Sequence, residues 1–235
     1  MRTVSHRGAS ALAPENTLLA VRLAISHHVD VTEVDVHLSR DGQLVVHHDP
    51  DVLVGDARVP IASLSVSELA GVPKGSGETV PTLDQVLDLA AGRIGVYVEL
   101  KASGTGAAFG QVVKRTRPTE LIVGSFSPSA VAEARLAAPS VPRSVLFRDV
   151  NPATMIETCG AVDARYAHPC HRPITSGAIG RLHAAGLEVM TPHTNDPAEA
   201  ERFRAAGADY VASDDPLLLA RLASRPAAKE SFPSG

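Results

Sequence analysis

The chain has 235 residues, of which 44% are hydrophobic and 20% charged, with a formal net charge of −4; this suffices for one sizeable core in a water-facing protein. There is no basic stripe, and aromatics stand at 3% with no Trp, which argues against nucleic acid as a main partner. Cys159 and Cys170 match no zinc or redox spacing, MRTVSHRG is not a charged-then-apolar leader, and no run approaches the ~18 apolar residues needed to span a membrane, so the chain reads as cytoplasmic with no transmembrane segment.

In chain order, a short strand at 2–5 ends in His6-Arg7-Gly8, and a helix is expected from Glu15 to His28. The next strand, 31–38, places Glu33, Asp35 and His37 on one face and Val34, Val36 and Leu38 on the other. Two carboxylates at i and i+2 lie about 7 Å apart along one face, and burying them without a cation would be costly. Asp41-Gly42 makes a turn, and LeuValVal returns toward His47-His48-Asp49. Residues from about 46 to 81 read as an inserted segment, irregular apart from a helical piece at 65–70. Beyond it, Thr82 caps a helix to Ala91. Strands are expected at 94–100, 121–124, 144–147, 163–166, 187–190 and 209–212, each followed by a helix. Gly186 and Gly207 close two of those helices.

Eight strand–helix units imply a parallel sheet, and their length favours a closed (β/α)8 TIM barrel with an insertion after the second strand. A single domain over 1–225 and a flexible tail over 226–235 are expected. Barrel active sites lie at the C-terminal strand ends. There fall His6 and Arg7, Glu33 and Asp35, then Glu99 and Lys101. Three carboxylates form a hard-oxygen site suited to Mg²⁺ or Ca²⁺. Arg7 and Lys101 beside them suit a phosphate, and His6 and His48 are candidate general acid and base. His193 follows the seventh strand and is a candidate substrate contact. His47 reads as a structural neighbour facing away from His48, and His168, Cys170 and His171 as loop residues.

HisArgGly at 6–8, ProGluAsnThr at 14–17, GluValAsp at 33–35, AspGly at 41–42, HisAsp at 48–49, ProThrLeu at 81–83 and GluLeuLys at 99–101 occur in that order. Singly weak, together they resemble the glycerophosphodiester phosphodiesterase family over nearly the whole chain. The resemblance implies one divalent cation on Glu33, Asp35 and Glu99, catalysis by His6 and His48, and phosphate contacts from Arg7 and Lys101. Glu15 is carried over as a supporting substrate-side position. The expected reaction is metal-dependent hydrolysis of a glycerophosphodiester to glycerol 3-phosphate and an alcohol. A lysophospholipase D-type enzyme, a cyclic-phosphate-forming enzyme and a barrel that binds phosphate compounds without turnover are the alternatives. Two departures, ProHisThrAsn at 192–195 and ValGlyAspAlaArgVal at 54–59, fall where the pocket beyond the phosphate is shaped.

Overall fold

The computed structural model describes residues 1–116, 120–171 and 173–223; the expected tail at 226–235 lies outside them. Eight parallel strands carry the fold: β1 (Arg2–Ser5), β2 (Val31–Leu38), β3 (Gly95–Leu100), β4 (Leu121–Ser125), β5 (Arg143–Phe147), β6 (Tyr166–Pro169), β7 (Glu188–His193) and β8 (Tyr210–Ser213). Each pairs with the next, and β1 also pairs with β8, which closes the ring. The outer helices are α1 (Leu18–Ser26), α2 (Leu83–Ala90), α3 (Thr105–Arg115), α4 (Pro128–Ala137), α5 (Pro152–Ala161), α6 (Ser176–Ala184), α7 (Pro197–Ala205) and α8 (Pro216–Ala223).

Strand alternation sorts the core into two layers. Val4, Val31, Tyr97, Ile122, Leu146, Tyr166, Met190, Tyr210 and Ala212 fill the barrel interior. The intervening residues, such as Val34, Val36, Val96, Val98, Val123, Val145, Val189 and Val211, pack outward against the helices. The six helices α2 and α4 to α8 follow the expected order, with Thr82, Ser127, Asn151, Thr175 and Asp196 capping α2 and α4 to α7 by accepting backbone N–H groups.

Most boundaries fall within a residue or two of the sequence reading, and three larger differences each have a reason. Helix α1 starts three residues later than Glu15, because Asn16 takes a left-handed φ of 56° and Thr17 is the cap. Strand β6 begins at Tyr166, three residues after Asp163, whose φ of 52° makes a turn held by the Arg143 guanidinium at 2.6 Å. Strand β7 runs on to His193, with a bulge that sets four residues of β7 (Met190 to His193) against three of β8 (Tyr210 to Ala212).

The insertion is ordered where an irregular loop was expected. It holds a hairpin of Asp51–Val54 with Ala57–Pro60, a turn at Ile61–Ser63, a helical turn Val66–Leu69, and a second hairpin of Pro73–Gly75 with Glu78–Thr79. Ser65 and Glu68 close a reciprocal capping box on the helical turn. Val52, Ile61, Leu69, Val72 and Val80 form a small core on Val45. Of the insertion's apolar residues, Val52 and Ile61 are thus buried, and Leu53 and Val54 remain exposed.

Candidate active site

The strand ends on the interior face build the site. Glu33 and Asp35 share their face of β2 with the interior residue Val31, and Glu99 and Lys101 share theirs with Tyr97. The register sets Asp35 directly beside Glu99 on β3. One oxygen from each of Glu33, Asp35 and Glu99 lies within 4.8 Å of the others. Lys101 Nζ bridges two of them, at 3.2 Å from Asp35 Oδ1 and 2.8 Å from Glu99 Oε1. Arg7 Nε is 3.4 Å from Asp35 Oδ2, and Asn16 donates to the same oxygen at 2.9 Å.

These neighbours divide the carboxylates into two kinds. Burial works to raise the Asp35 carboxyl, but Lys101, Asn16 and Arg7 outweigh it and hold it below its usual range. Glu33 receives less help. Burial, then Asp35 and Glu99, push it well above the usual carboxylate range, and burial followed by Asp35 raises Glu99 as well. Glu33 Oε2 accepts the Arg7 backbone N–H at 2.8 Å, while Oε1 is buried with no hydrogen-bond partner. A buried carboxylate oxygen aimed at two other carboxylates fits a divalent cation, and the all-oxygen donor set suits Mg²⁺ or Ca²⁺.

The His6-Arg7-Gly8 turn is shaped by packing. Arg7 adopts a left-handed φ of 54°, an uncommon conformation for a residue with a Cβ. Gly8 follows at φ +79°, where a Cβ would sit 2.6 Å from that of Ala20 in α1. Only glycine fits there. Glu15 does not line the cavity; its Oε2 accepts from Arg7 Nη1 at 2.7 Å and so aims the guanidinium.

The two candidate acid–base histidines are built alike. His6 Nδ1–H donates to Asp214 Oδ1 at 2.7 Å, and His48 Nδ1–H donates to Asp49 Oδ1 at 2.8 Å. A carboxylate can only accept, so each bond fixes the tautomer that leaves Nε2 as the basic nitrogen. Both rings line one cavity of about 130 Å³ with Arg7, Glu33, Glu99 and Lys101. The His48 loop is held by His47 N–H donating to the Asp35 carbonyl at 3.0 Å and His37 Nε2–H donating to the His48 carbonyl at 3.0 Å. His47 faces a separate groove, where its Nδ1 lies 3.0 Å from Lys74 Nζ.

Asp214 was missed, although the signal was present. It lies two residues beyond Ala212 and four beyond Tyr210, both interior-facing, so the same alternation brings it to the mouth. Asn195 and Ser10 donate to it at 2.8 and 3.0 Å, and with His6 they hold its carboxyl far below the usual range against the opposing effect of burial. The bulge in β7 turns His193 to the same place, where its ring stacks on His6 at 4.2 Å and 10°.

The reading of His168 as a loop residue is corrected, since it belongs to β6; Cys170 and His171 do lie in the loop that follows, and all three line the cavity. The displaced start of β6 is the cause. His168 Nε2–H donates to the Thr191 carbonyl at 3.0 Å, and Nδ1 lies 3.2 Å from the Tyr97 hydroxyl. With donor and acceptor both engaged, the ring is held neutral.

That neutrality has a measurable cost in acid. Burial is the first cause that lowers His168 to about 4 from 6.5, and burial followed by Lys74 lowers His47 to about 4. The unfolded chain therefore takes up protons near pH 6.5 that the folded chain refuses until about 4, so stability falls as pH drops through that window. Each histidine contributes on the order of 1–3 kcal/mol. The urea midpoint is expected to be clearly lower at pH 5 than at pH 7, with His168→Gln removing part of the difference. Equal midpoints at the two pH values would refute this.

Comparison with known proteins agrees with this geometry. Residues 6–218 match the model of the glycerophosphoryl diester phosphodiesterase family. YhdW of Bacillus subtilis is 31% identical, over 93% of this chain and 96% of its own. An Oleispira antarctica phosphodiesterase, solved in complex with the product sn-glycerol-3-phosphate, superposes with a TM-score of 0.89 at 28% identity, covering 96% of this chain and 97% of that one. The glycerophosphodiester phosphodiesterase of Agrobacterium tumefaciens gives 0.79 at 30% identity, covering 94% and 99%. With its barrel closed, its acidic cluster at the mouth and the family model matched from His6 onward, this chain belongs to the glycerophosphoryl diester phosphodiesterase family.

Proposed function

We propose that the protein hydrolyses glycerophosphodiesters to glycerol 3-phosphate and an alcohol, using His6 and His48 as acid and base beside a divalent cation on Glu33, Asp35 and Glu99. The observation that carries this reading is the pair of matched His–Asp dyads whose imidazoles line one cavity with Glu33, Glu99, Lys101 and Arg7. A barrel that only bound phosphate compounds would gain nothing from two histidines with fixed tautomers. The cation, Mg²⁺ or Ca²⁺, would supply neutralisation of phosphate charge.

The chain's own groups do the rest. Lys101 and Arg7 hold the non-bridging phosphate oxygens, and burial keeps competing water scarce. One imidazole takes a proton from the attacking oxygen through Nε2 while the other donates to the departing alcohol. Asp214 and Asp49 orient the rings and favour the imidazolium forms that arise. His193, stacked on His6, restrains that ring's plane.

The experiment is steady-state hydrolysis of glycerophosphodiesters by purified protein with Mg²⁺ or Ca²⁺. His6→Ala and His48→Ala are each expected to lower kcat by ~10²–10⁴ while metal binding, followed calorimetrically, persists. Asp214→Asn should lower kcat less, since the ring stays but loses its charged anchor. If His47→Ala proved damaging and His48→Ala harmless, the assignment would be wrong.

A further inference from the structure

The cavity over the carboxylates has a neighbour across its far wall. Phe126, just after β4, and Leu146 of β5 line it, and both also line a second open cavity of about 470 Å³. The two spaces thus adjoin across these two residues, as an inner and an outer part of the recess above the strand ends. Its outer part is bounded by Phe147, Arg148, Asp149, Asn151, Thr154 and Met155. The phosphate-holding and metal-fitting groups come from β1 to β3, so a diester seated on them has its open side toward β4 and β5. One ester substituent must lie in the smaller inner space, and the other extends past Phe126.

What it meets there is a positive charge. Arg148 shares the interior-facing alternation of Leu146 and Ser144, and its guanidinium lies 4.8 Å from the Phe126 ring centroid. Its Nη1 is 3.4 Å from His171 Nε2, and the His171 ring also stacks on Phe126, at 5.8 Å and 24°. An exposed aromatic face next to a phosphodiester site would ordinarily suit a quaternary ammonium. Here the guanidinium already occupies that role, and a second cation would meet repulsion. Asp149 lines the outer cavity together with Arg148, and the Arg148 guanidinium lies over the Phe126 ring, at the wall that the two spaces share.

Resting on the hydrolase reading above, we infer that this recess seats the leaving alcohol and that Arg148 selects diesters whose alcohol carries an anionic group, such as a second phosphate, over those carrying an ammonium. A rim charge at this distance, in a partly aqueous setting, is worth about 1.4 kcal/mol, or tenfold in rate at low substrate.

Three substrates of graded charge test it: bis(glycerophospho)glycerol, glycerophosphoglycerol and glycerophosphocholine, whose leaving alcohols are anionic, neutral and cationic. For the wild type with saturating Mg²⁺, kcat/KM is expected to fall in that order, by about tenfold between the extremes, mainly through KM and less steeply in 0.5 M salt. Because ratios between substrates do not depend on the fraction of folded protein, variants are read by ratio. Arg148→Gln should flatten the order, and Arg148→Glu should invert it. Wild-type rates independent of alcohol charge would overturn the inference while leaving the hydrolase reading intact. So would an unchanged order in Arg148→Gln. Failure to hydrolyse all three would instead remove the hydrolase reading, and this inference with it.

Discussion

Glu33→Gln is expected to lower kcat by about 10³-fold and to erase the rise in melting temperature that Mg²⁺ or Ca²⁺ gives the wild-type protein. Glu33 is 4% exposed, and its Oε1 has no hydrogen-bond partner. Burial, Asp35 and Glu99 all disfavour its charge when no cation is present. The neutral amide keeps the shape and an oxygen for the Arg7 N–H, but it removes the negative charge that a divalent ion needs. Losing the ion's neutralisation of phosphate charge costs several kcal/mol, which is about 10³ in rate. A ligand that binds only the folded state at about 100 times its Kd adds about 2.7 kcal/mol of stability, so the thermal shift is readable without any substrate. Asp35 is the poorer test, because its removal strands Lys101, Arg7 and Asn16 together. Full activity after exhaustive chelation would exclude the metal from this mechanism, and an undiminished thermal shift in Glu33→Gln would remove Glu33 from the ion's ligands.

A substrate with hydrogen in place of the hydroxyl next to the glycerol phosphoester is expected to turn over slower by at least about 10³-fold, through kcat more than KM. Among the described residues no Ser or Thr lines the cavity, and the proposed mechanism assigns His6 and His48 to proton transfer. Cys170 is the only thiol among the lining residues of the described chain, and burial followed by Glu99 pushes it well above its ordinary value. Its Sγ–H donates to the His168 carbonyl at 3.3 Å. Attack therefore falls to the substrate's own hydroxyl or to water. The intramolecular route is favoured by about 7–11 kcal/mol over a bimolecular reference, against about 1 kcal/mol for one hydrogen bond to the same hydroxyl. On that proposed route the hydroxyl oxygen would bond to phosphorus as the alcohol oxygen left with a proton from one histidine, the other having taken the hydroxyl proton, and water would then open the cyclic phosphate with the roles exchanged. Near-normal turnover of the analogue would assign the attack to water directly.

How much of this was legible beforehand follows from the range over which each feature is fixed. Strand alternation is a property of neighbouring residues, so 31–38 alone put Glu33 and Asp35 on one face, and the same rule placed Glu99 with Lys101. Repetition of strand and helix eight times announced the barrel for the same local reason. Asp214 obeyed that rule too, but its importance lies in reaching His6 across 208 residues. That meeting exists only because β8 pairs with β1 when the ring closes. The aim of His193 depends on a bulge, and a bulge depends on how β7 and β8 share their hydrogen bonds. The neutral lock on His168 needs β7 beside it and the Tyr97 hydroxyl reaching it from the non-adjacent β3, and the two hairpins of the insertion are stabilised by a small core drawn from 45 to 80. The chain by itself determined which residues could do chemistry and which way they faced. Register and ring closure, being long-range hydrogen-bond choices, decided which of them meet.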